Sequence, residues 1–389
     1  MRLLGDIAAA EDAVQEAYVE ALRTWGGRGV PASPGAWITT TARNRALDRV
    51  RREASRPARE QEAVRGSALD ADLVEVHPVP DDQLRLMFTC CHPALAPAAQ
   101  VALTLRLVCG LRTAEIARAF LQPEATVAQR LSRAKAKIRT AAIPFRVPPA
   151  HLLPERLPPV LTCAYLVFTE GYAATEGDAL VRDELCVEGV RLARLVVELM
   201  PDEAEAHGLL ALVLAQDARR PSRRTPTGDL VLLADQDRGA WDQARIDESL
   251  EHLGRALRPR RAGRYGLEAA MAASHSVAPT WAATDWERIA ALYARLAAVA
   301  PSPVVELNRA VAVGFACGPA AGLAVVDAAV DDPQLARSHL LPAIRADLLR
   351  RLGRTADAAE QYRTARSRVR TAPERAFLDR RLAELTAEP

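Results

Sequence analysis

Alanine, leucine and arginine dominate this chain, and aromatic residues make up only 4% of it. That balance constrains the fold more than any single motif. The three abundant residues lose little on entering a helix, while the β-branched and aromatic side chains that suit a pleated surface are few. Apolar residues also fall at helical intervals. Val14, Tyr18, Ala21, Leu22 and Trp25 predict one helix over about 8–25 and form its inner face. An all-α protein is expected. At 389 residues the chain exceeds one ordinary core, so two or three domains follow. A hydrophobic content of 49% beside 26% charged residues describes a globular chain rather than a disordered one.

Glycine and proline punctuate the helices. Gly26 to Gly35 reads as a loop, and Pro34 stands near the start of a second helix whose inner face takes Trp37, Thr41, Ala42, Leu47 and Val50. Residues 57–80 are polar and weakly periodic, as a linker would be. Four helical segments follow: Asp82–Cys91, Ala96–Cys109, Thr113–Phe120 and Ala125–Ala142. The proline-rich IPFRVPPAHLLPERLPP closes that unit, and the chain is helical again from about Pro159. In this last part Leu352-Gly353-Arg354, followed by Ala358, Ala359 and Tyr362, resembles a tetratricopeptide (TPR) helix pair. Pro-led helix starts at Pro201 and Pro301 fit about three periods of roughly 34 residues. The expected plan is a bundle over 1–56, a linker over 57–80, a second helical unit over 81–146 and a TPR-like helical extension over 150–389. A loop from Asp217 to Asp242 mixes Arg with Asp; its length marks it as a contact segment or a solvated connection.

Net charge is only +2, so the distribution of charge has to speak for partners. Two segments are strongly basic. ARNRALDRVRREASR carries Arg43, Arg45, Arg49, Arg51, Arg52 and Arg56 against Asp48 and Glu53, and TVAQRLSRAKAKIR carries Arg130, Arg133, Lys135, Lys137 and Arg139 with no acid. Clustered cations on a helix are the electrostatic footprint of phosphate binding, although a lone basic helix is more often a solvated face. The second segment has a context. An amphipathic helix with Ile116, Ala117 and Phe120, a turn at Gln122-Pro123 and a helix from about Ala125 follow the helix-turn-helix plan. Thr126, Gln129 and Arg130 then sit where base edges are read, and Arg133, Lys135 and Lys137 where phosphates are held. Other chemistries find less support. Cys90-Cys91-His92 lacks the ligand spacing of a zinc site, so no metal or other cofactor is expected. Glu170, Tyr172, Asp178 and Asp183 have no nucleophile–base pair or phosphate loop beside them, so they read as caps and turn residues rather than catalysts. No run of about 18 apolar residues and no leader-like start is present; a cytoplasmic protein without membrane association is expected.

AEDAVQEAYVEALRTW resembles region 2.2 of sigma-70-type factors, with the D-x-x-Q-E core at Asp12, Gln15 and Glu16. AWITTTARNRALDRVRR is similar to regions 2.3 and 2.4, and the helix-turn-helix to region 4. The three in this order over about 1–146 resemble a sigma factor of the extracytoplasmic-function (ECF) group. VRDELCVEGVRLARLVVELMPDEAEAHGLLALVLAQDAR, LADQDRGAWD and YLVFTEGYAATEGD resemble the group that carries a fused TPR-like extension. The resemblance implies that Asp12, Gln15 and Glu16 dock on core RNA polymerase. It also implies that Trp37, Arg43, Asn44, Arg45, Arg49 and Arg52 engage the −10 element of promoter DNA, and that Thr126, Gln129, Arg130, Arg133, Lys135 and Lys137 engage the −35 element. The extension would take the regulatory place of a separate anti-sigma protein and offers a surface for a regulatory protein or ligand. Such factors begin with a helix before the Leu3 to Asp6 segment, so part of region 2 is expected to be missing from this sequence. Either the start was called too late, the favoured reading, or the region 2 bundle is incomplete. A one-component regulator with a helix-turn-helix and a helical ligand domain is the alternative. It leaves the first basic helix and Asp12-x-x-Gln15-Glu16 without a role.

Overall fold

The computed structural model describes residues 7–54, 79, 81–141, 143, 148–258 and 262–387, with backbone alone at 7–8, 28, 50–54 and 387. Among these residues there are 17 α-helices and a few 3-10 turns, and the only β pairing is two isolated bridges. The fold is all-α. Contacts divide it into two compact units, 1–103 with 129–156 and 104–128 with 157–389.

In the first unit, α1 (Ile7–Arg28) packs on α2 (Pro34–Ala54). Of the expected inner face of α1, Ala21 is buried but the large residues are not. Ala10, Ala13, Ala17 and Ala21 are buried, whereas Val14, Tyr18 and Leu22 are exposed, Leu22 by 82%. Small side chains at three- and four-residue spacing let α2, with Ala42 and Ala46 buried, come close. A stripe of larger residues would hold it off. The helix also runs to Arg28, leaving Gly29 (φ 79) and four further residues as the loop. Helix α3 (Asp82–Cys90) starts on Asp81, whose carboxylate accepts the Leu84 N–H at 2.8 Å. Helix α4 (Pro97–Leu107) spans the boundary between units, and so does α6 (Glu124–Thr140).

The second unit takes in α5 (Thr113–Ala119), α7 (Leu153–Tyr172) from Leu157 on, and every helix after it. Between α4 and α5, Gly110 adopts φ 73, and the Leu111 N–H returns to the Leu105 carbonyl at 3.0 Å, closing α4 as a glycine C-cap does. Helix α7 begins inside the proline run, six residues before the expected helix start at about Pro159. Leu153, Leu157, Val160 and Leu161 are buried and drive the helix. The amides missing at Pro158 and Pro159 deprive only the carbonyls of Pro154 and Glu155, two exposed residues that water can satisfy.

The rest of the unit is α8 (Asp183–Leu199), α9 (Ala204–Ala218), α10 (Gln243–Ala256), α11 (Arg264–Val277), α12 (Trp286–Val299), α13 (Pro303–Ala316), α14 (Pro319–Ala328), α15 (Leu340–Arg351), α16 (Thr355–Arg368) and α17 (Ala372–Ala387). Each packs on its neighbour in sequence, as helical repeats do. Leu352-Gly353-Arg354 forms the α15–α16 turn, with Gly353 at φ 73 and Ala358 and Tyr362 buried. Helix α9 is apolar on all sides and buried almost throughout. It approaches α11 so closely that a Cβ on Gly208 would lie 2.6 Å from the Gly266 nitrogen.

The 217–242 loop is docked within its unit rather than solvated. Buried Asp217 pairs with Arg220 at 2.8 Å and with Arg245, Arg238 donates to the carbonyls of His275 and Ala278 at 2.5 and 2.8 Å, and Trp241 is buried. Among the described residues no helix is long and apolar enough to cross a membrane, and no three His, Cys, Asp or Glu side chains gather as metal ligands.

Candidate nucleic-acid and polymerase interfaces

Helix α6 separates its residues by face. Val127, Leu131, Ala134 and Ile138 are buried, at steps of four, three and four. Thr126, Gln129, Arg133 and Lys137 are exposed and Arg130 is half-buried. At about 100° per residue these five share roughly a third of the helix circumference. Lys135 falls on the other side. Its Nζ meets Glu11 Oε2 on α1 at 2.5 Å, so the structure does not bring it onto that face.

On α1, Asp12, Gln15 and Glu16 are all exposed. On α2, Arg43 and Asn44 are exposed. Arg45 reaches Glu20 at 3.5 Å and Arg49 reaches Asp12 at 3.4 Å, tying the basic helix to the acidic one through surface pairs worth at most about 1 kcal/mol each. Trp37 is half-buried, edge-on to Trp25 with ring centroids 5.4 Å apart. The Arg52 side chain lies outside the described residues. Residues read as non-catalytic have structural partners: Asp183 pairs with Arg220 and Arg224, Tyr172 stacks on Phe168, and Glu170 joins a polar network.

That network holds α5, the first helix of the helix-turn-helix, to the 170–182 segment of the same unit. Glu115 is 2% exposed and accepts the Arg112 N–H at 2.6 Å, Arg112 Nε at 2.9 Å and Arg182 Nη1 at 3.0 Å. Arg182 also stands 3.9 Å from Glu170, which accepts the Thr175 hydroxyl at 3.0 Å. Arg118 donates to the Thr175 hydroxyl at 2.8 Å and pairs with Glu176, which Arg112 and Arg370 approach to 3.4 and 3.6 Å. Burial pushes both buried carboxyls up. At Glu115 the Arg112 N–H and guanidinium, with Arg182, outweigh burial and hold the group below the usual glutamate value. At Glu170 burial wins over the Thr175 hydrogen bonds and the group sits above it.

The turn after α5 adds an apolar anchor. Leu121 adopts φ 53, a left-handed conformation that costs a leucine roughly 1–2 kcal/mol, and packs on the core cluster of α13 to α17, whose members include Leu307, Leu349 and Tyr362. Sequence reasoning missed Arg118, Leu121, Glu176 and Arg182. A leucine at a turn position that favours glycine was the one local signal.

The family models for Sigma-70 region 2 and Sigma-70 region 4 match residues 1–56 and 85–138. With the exposed face of α6 and the α1–α2 pair, these matches decide the family. The chain belongs to the ECF group of the sigma-70 family. Other similarities extend over this sigma factor to different degrees. Residues 156–257 match a family of unknown function (DUF6596). An uncharacterized protein of Rhizobium meliloti (strain 1021) is 42% identical over all of this chain and 93% of its own length. The "Probable ECF RNA polymerase sigma factor SigI" of Mycobacterium tuberculosis is 31% identical over 39% of the chain and 52% of that protein. The "ECF RNA polymerase sigma factor SigK" of Mycobacterium ulcerans is 29% identical over 36% of the chain and 74% of that protein.

Proposed function

We propose that this ECF sigma factor binds core RNA polymerase through Asp12, Gln15 and Glu16, and that its own C-terminal extension regulates how it reads promoters. Trp37, Arg43, Asn44, Arg45, Arg49 and Arg52 engage the −10 element as separated strands, in which bases are extruded into pockets and the backbone is held by cations. Thr126, Gln129 and Arg130 read the −35 element in the major groove while Arg133 and Lys137 hold phosphates. Lys135, facing Glu11, is left to position the helix.

The observation that supports regulation is the anchoring of α5 on the 170–182 segment and of Leu121 on the α13–α17 core. A segment that binds one arrangement of region 4 better than another shifts its population; equal affinity for both would shift nothing. The test is run-off transcription with purified core polymerase and the full chain. Wild type directs a defined transcript. Glu176→Arg sets a fourth guanidinium among Arg112, Arg118 and Arg370 and changes the yield several-fold without abolishing core binding. A yield equal to wild type refutes regulation through this contact, and no transcript from wild type refutes the sigma activity itself.

A further inference from the structure

Helices α7, α9, α11, α12 and α13 line an open-sided cavity of about 500 Å³, within the range that small-molecule sites occupy. About half of its wall is apolar, with Leu166, Leu212, Met271 and Leu296 among the lining residues. Its charge is unbalanced. Arg264 is matched by Glu268 at 2.8 Å, but Arg219, also in the lining, spends only its Nε, on the Tyr172 hydroxyl at 3.1 Å. No carboxylate of the described residues lies within ion-pair distance of Arg219, so both of its Nη groups remain available to a ligand.

His275 stands beside it with a buried Nδ1 that has no hydrogen-bond partner, and Arg238 holds the His275 carbonyl. Burial first, and then Arg219 and Arg238, push His275 down to about 4, which makes it a neutral ring able to donate a hydrogen bond at pH 7. A guanidinium fork with unused N–H groups, next to a neutral imidazole and the apolar half of the wall, suits one carboxylate on an apolar body. Guanidinium and carboxylate pair in a bidentate way that a neutral head group cannot reproduce.

We propose that this cavity is a binding site for a small organic acid, a single carboxylate carried on an apolar chain or ring. Ala119 and Phe120, which end the first helix of the helix-turn-helix, form part of its wall. An occupant therefore touches the DNA-reading module directly and biases its placement. This second step rests on the proposed regulatory function; the binding step does not.

The test is isothermal titration of octanoate into the full-length chain, with octanol and octylammonium as neutral and cationic controls of equal length. Octanoate is expected to bind with a stoichiometry of one and at least about tenfold more tightly than either control, the scale of a hydrogen bond to a charged group. Arg219→Gln should remove that preference while leaving octanol binding unchanged. Val304→Trp, which fills the cavity from α13, should remove binding of all three, and circular dichroism checks that both variants keep their helix content. Equal binding of octanoate and octanol, an unchanged octanoate affinity in Arg219→Gln, or no binding at all overturns the site. Run-off transcription with and without octanoate separates the two claims. Binding without any change in transcript yield retains the site and refutes its coupling to region 4.

Discussion

Replacing Glu115 by glutamine tests whether the buried carboxylate, rather than its shape, holds α5 in place. The side chain keeps its size, and its Oε1 can still accept the Arg112 N–H. What changes is charge. Three donors, the Arg112 N–H, Arg112 Nε and Arg182 Nη1, now reach a carboxylate at 2.6–3.0 Å. Hydrogen bonds to a charged group contribute about 1.5–3 kcal/mol against roughly 0.5–1.5 for neutral ones. The new amide N–H₂ also points two donors at guanidinium groups. Arg112 is largely exposed and Arg182 retains Glu184 at 3.2 Å, so water and that partner recover part of the loss. The net cost to the second unit should be about 2–3 kcal/mol at pH 7. Urea unfolding of the full chain, followed through Trp241, Trp281 and Trp286, measures it.

The pH dependence gives the sign. Glu115 titrates below its ordinary value of 4.5 in the folded protein, so the folded state binds its proton more weakly than the unfolded chain does. Its stabilising contribution is complete above the unfolded value and is lost as pH falls through the folded one. The gap between wild type and Glu115→Gln should therefore stay constant from pH 6 to 8 and close below about 4.5. A gap under about 0.5 kcal/mol at pH 7, the scatter expected of a surface substitution, or one that widens in acid refutes the reasoning.

Three further outcomes are expected. Arg130→Ala should relax specificity at one −35 position by about 1–3 kcal/mol, whereas Lys137→Ala should weaken all sequences alike and flatten the salt dependence; binding titrations on a promoter and its single-base variants distinguish them, and identical behaviour contradicts the division of roles. Asp12→Ala with Gln15→Ala should weaken capture by core polymerase in a pull-down with helix content unchanged, since both side chains are exposed on α1. Gly208→Ala should lower stability by about 1–3 kcal/mol, because the new methyl meets the Gly266 nitrogen at 2.6 Å and the backbone of α9 or α11 must give way; an unchanged urea midpoint would show that the two helices separate freely.

Much of the fold was legible locally. The starts of α2 at Pro34 and α3 at Asp82, the helix-turn-helix and the Gly353 turn all rest on caps, glycine conformations and apolar periodicity, each set by a few neighbouring residues. The same periodicity on α6 places Thr126, Gln129, Arg133 and Lys137 on one face and Lys135 on another, a distinction that composition alone had blurred. Tertiary structure decided what local rules leave degenerate. Helix α1 has two plausible inner faces, and only its packing on α2 selects the alanine stripe over Val14, Tyr18 and Leu22. Prolines that read as closing the preceding unit lie within α7 because its buried leucines outweigh two missing amides.

The partners of polar residues were the least readable of all. Arg118 finds Thr175 and Glu176 more than 50 positions away, and Arg182 finds Glu115 across a similar gap. Ion pairs of this kind are worth about 1 kcal/mol when exposed and need no particular spacing in sequence, so they leave no periodic trace. The cavity between α7 and α13 is likewise a product of packing. Its Arg219 is one arginine among many in the sequence, and it becomes distinctive only once the fold shows that no carboxylate of the described residues pairs with it.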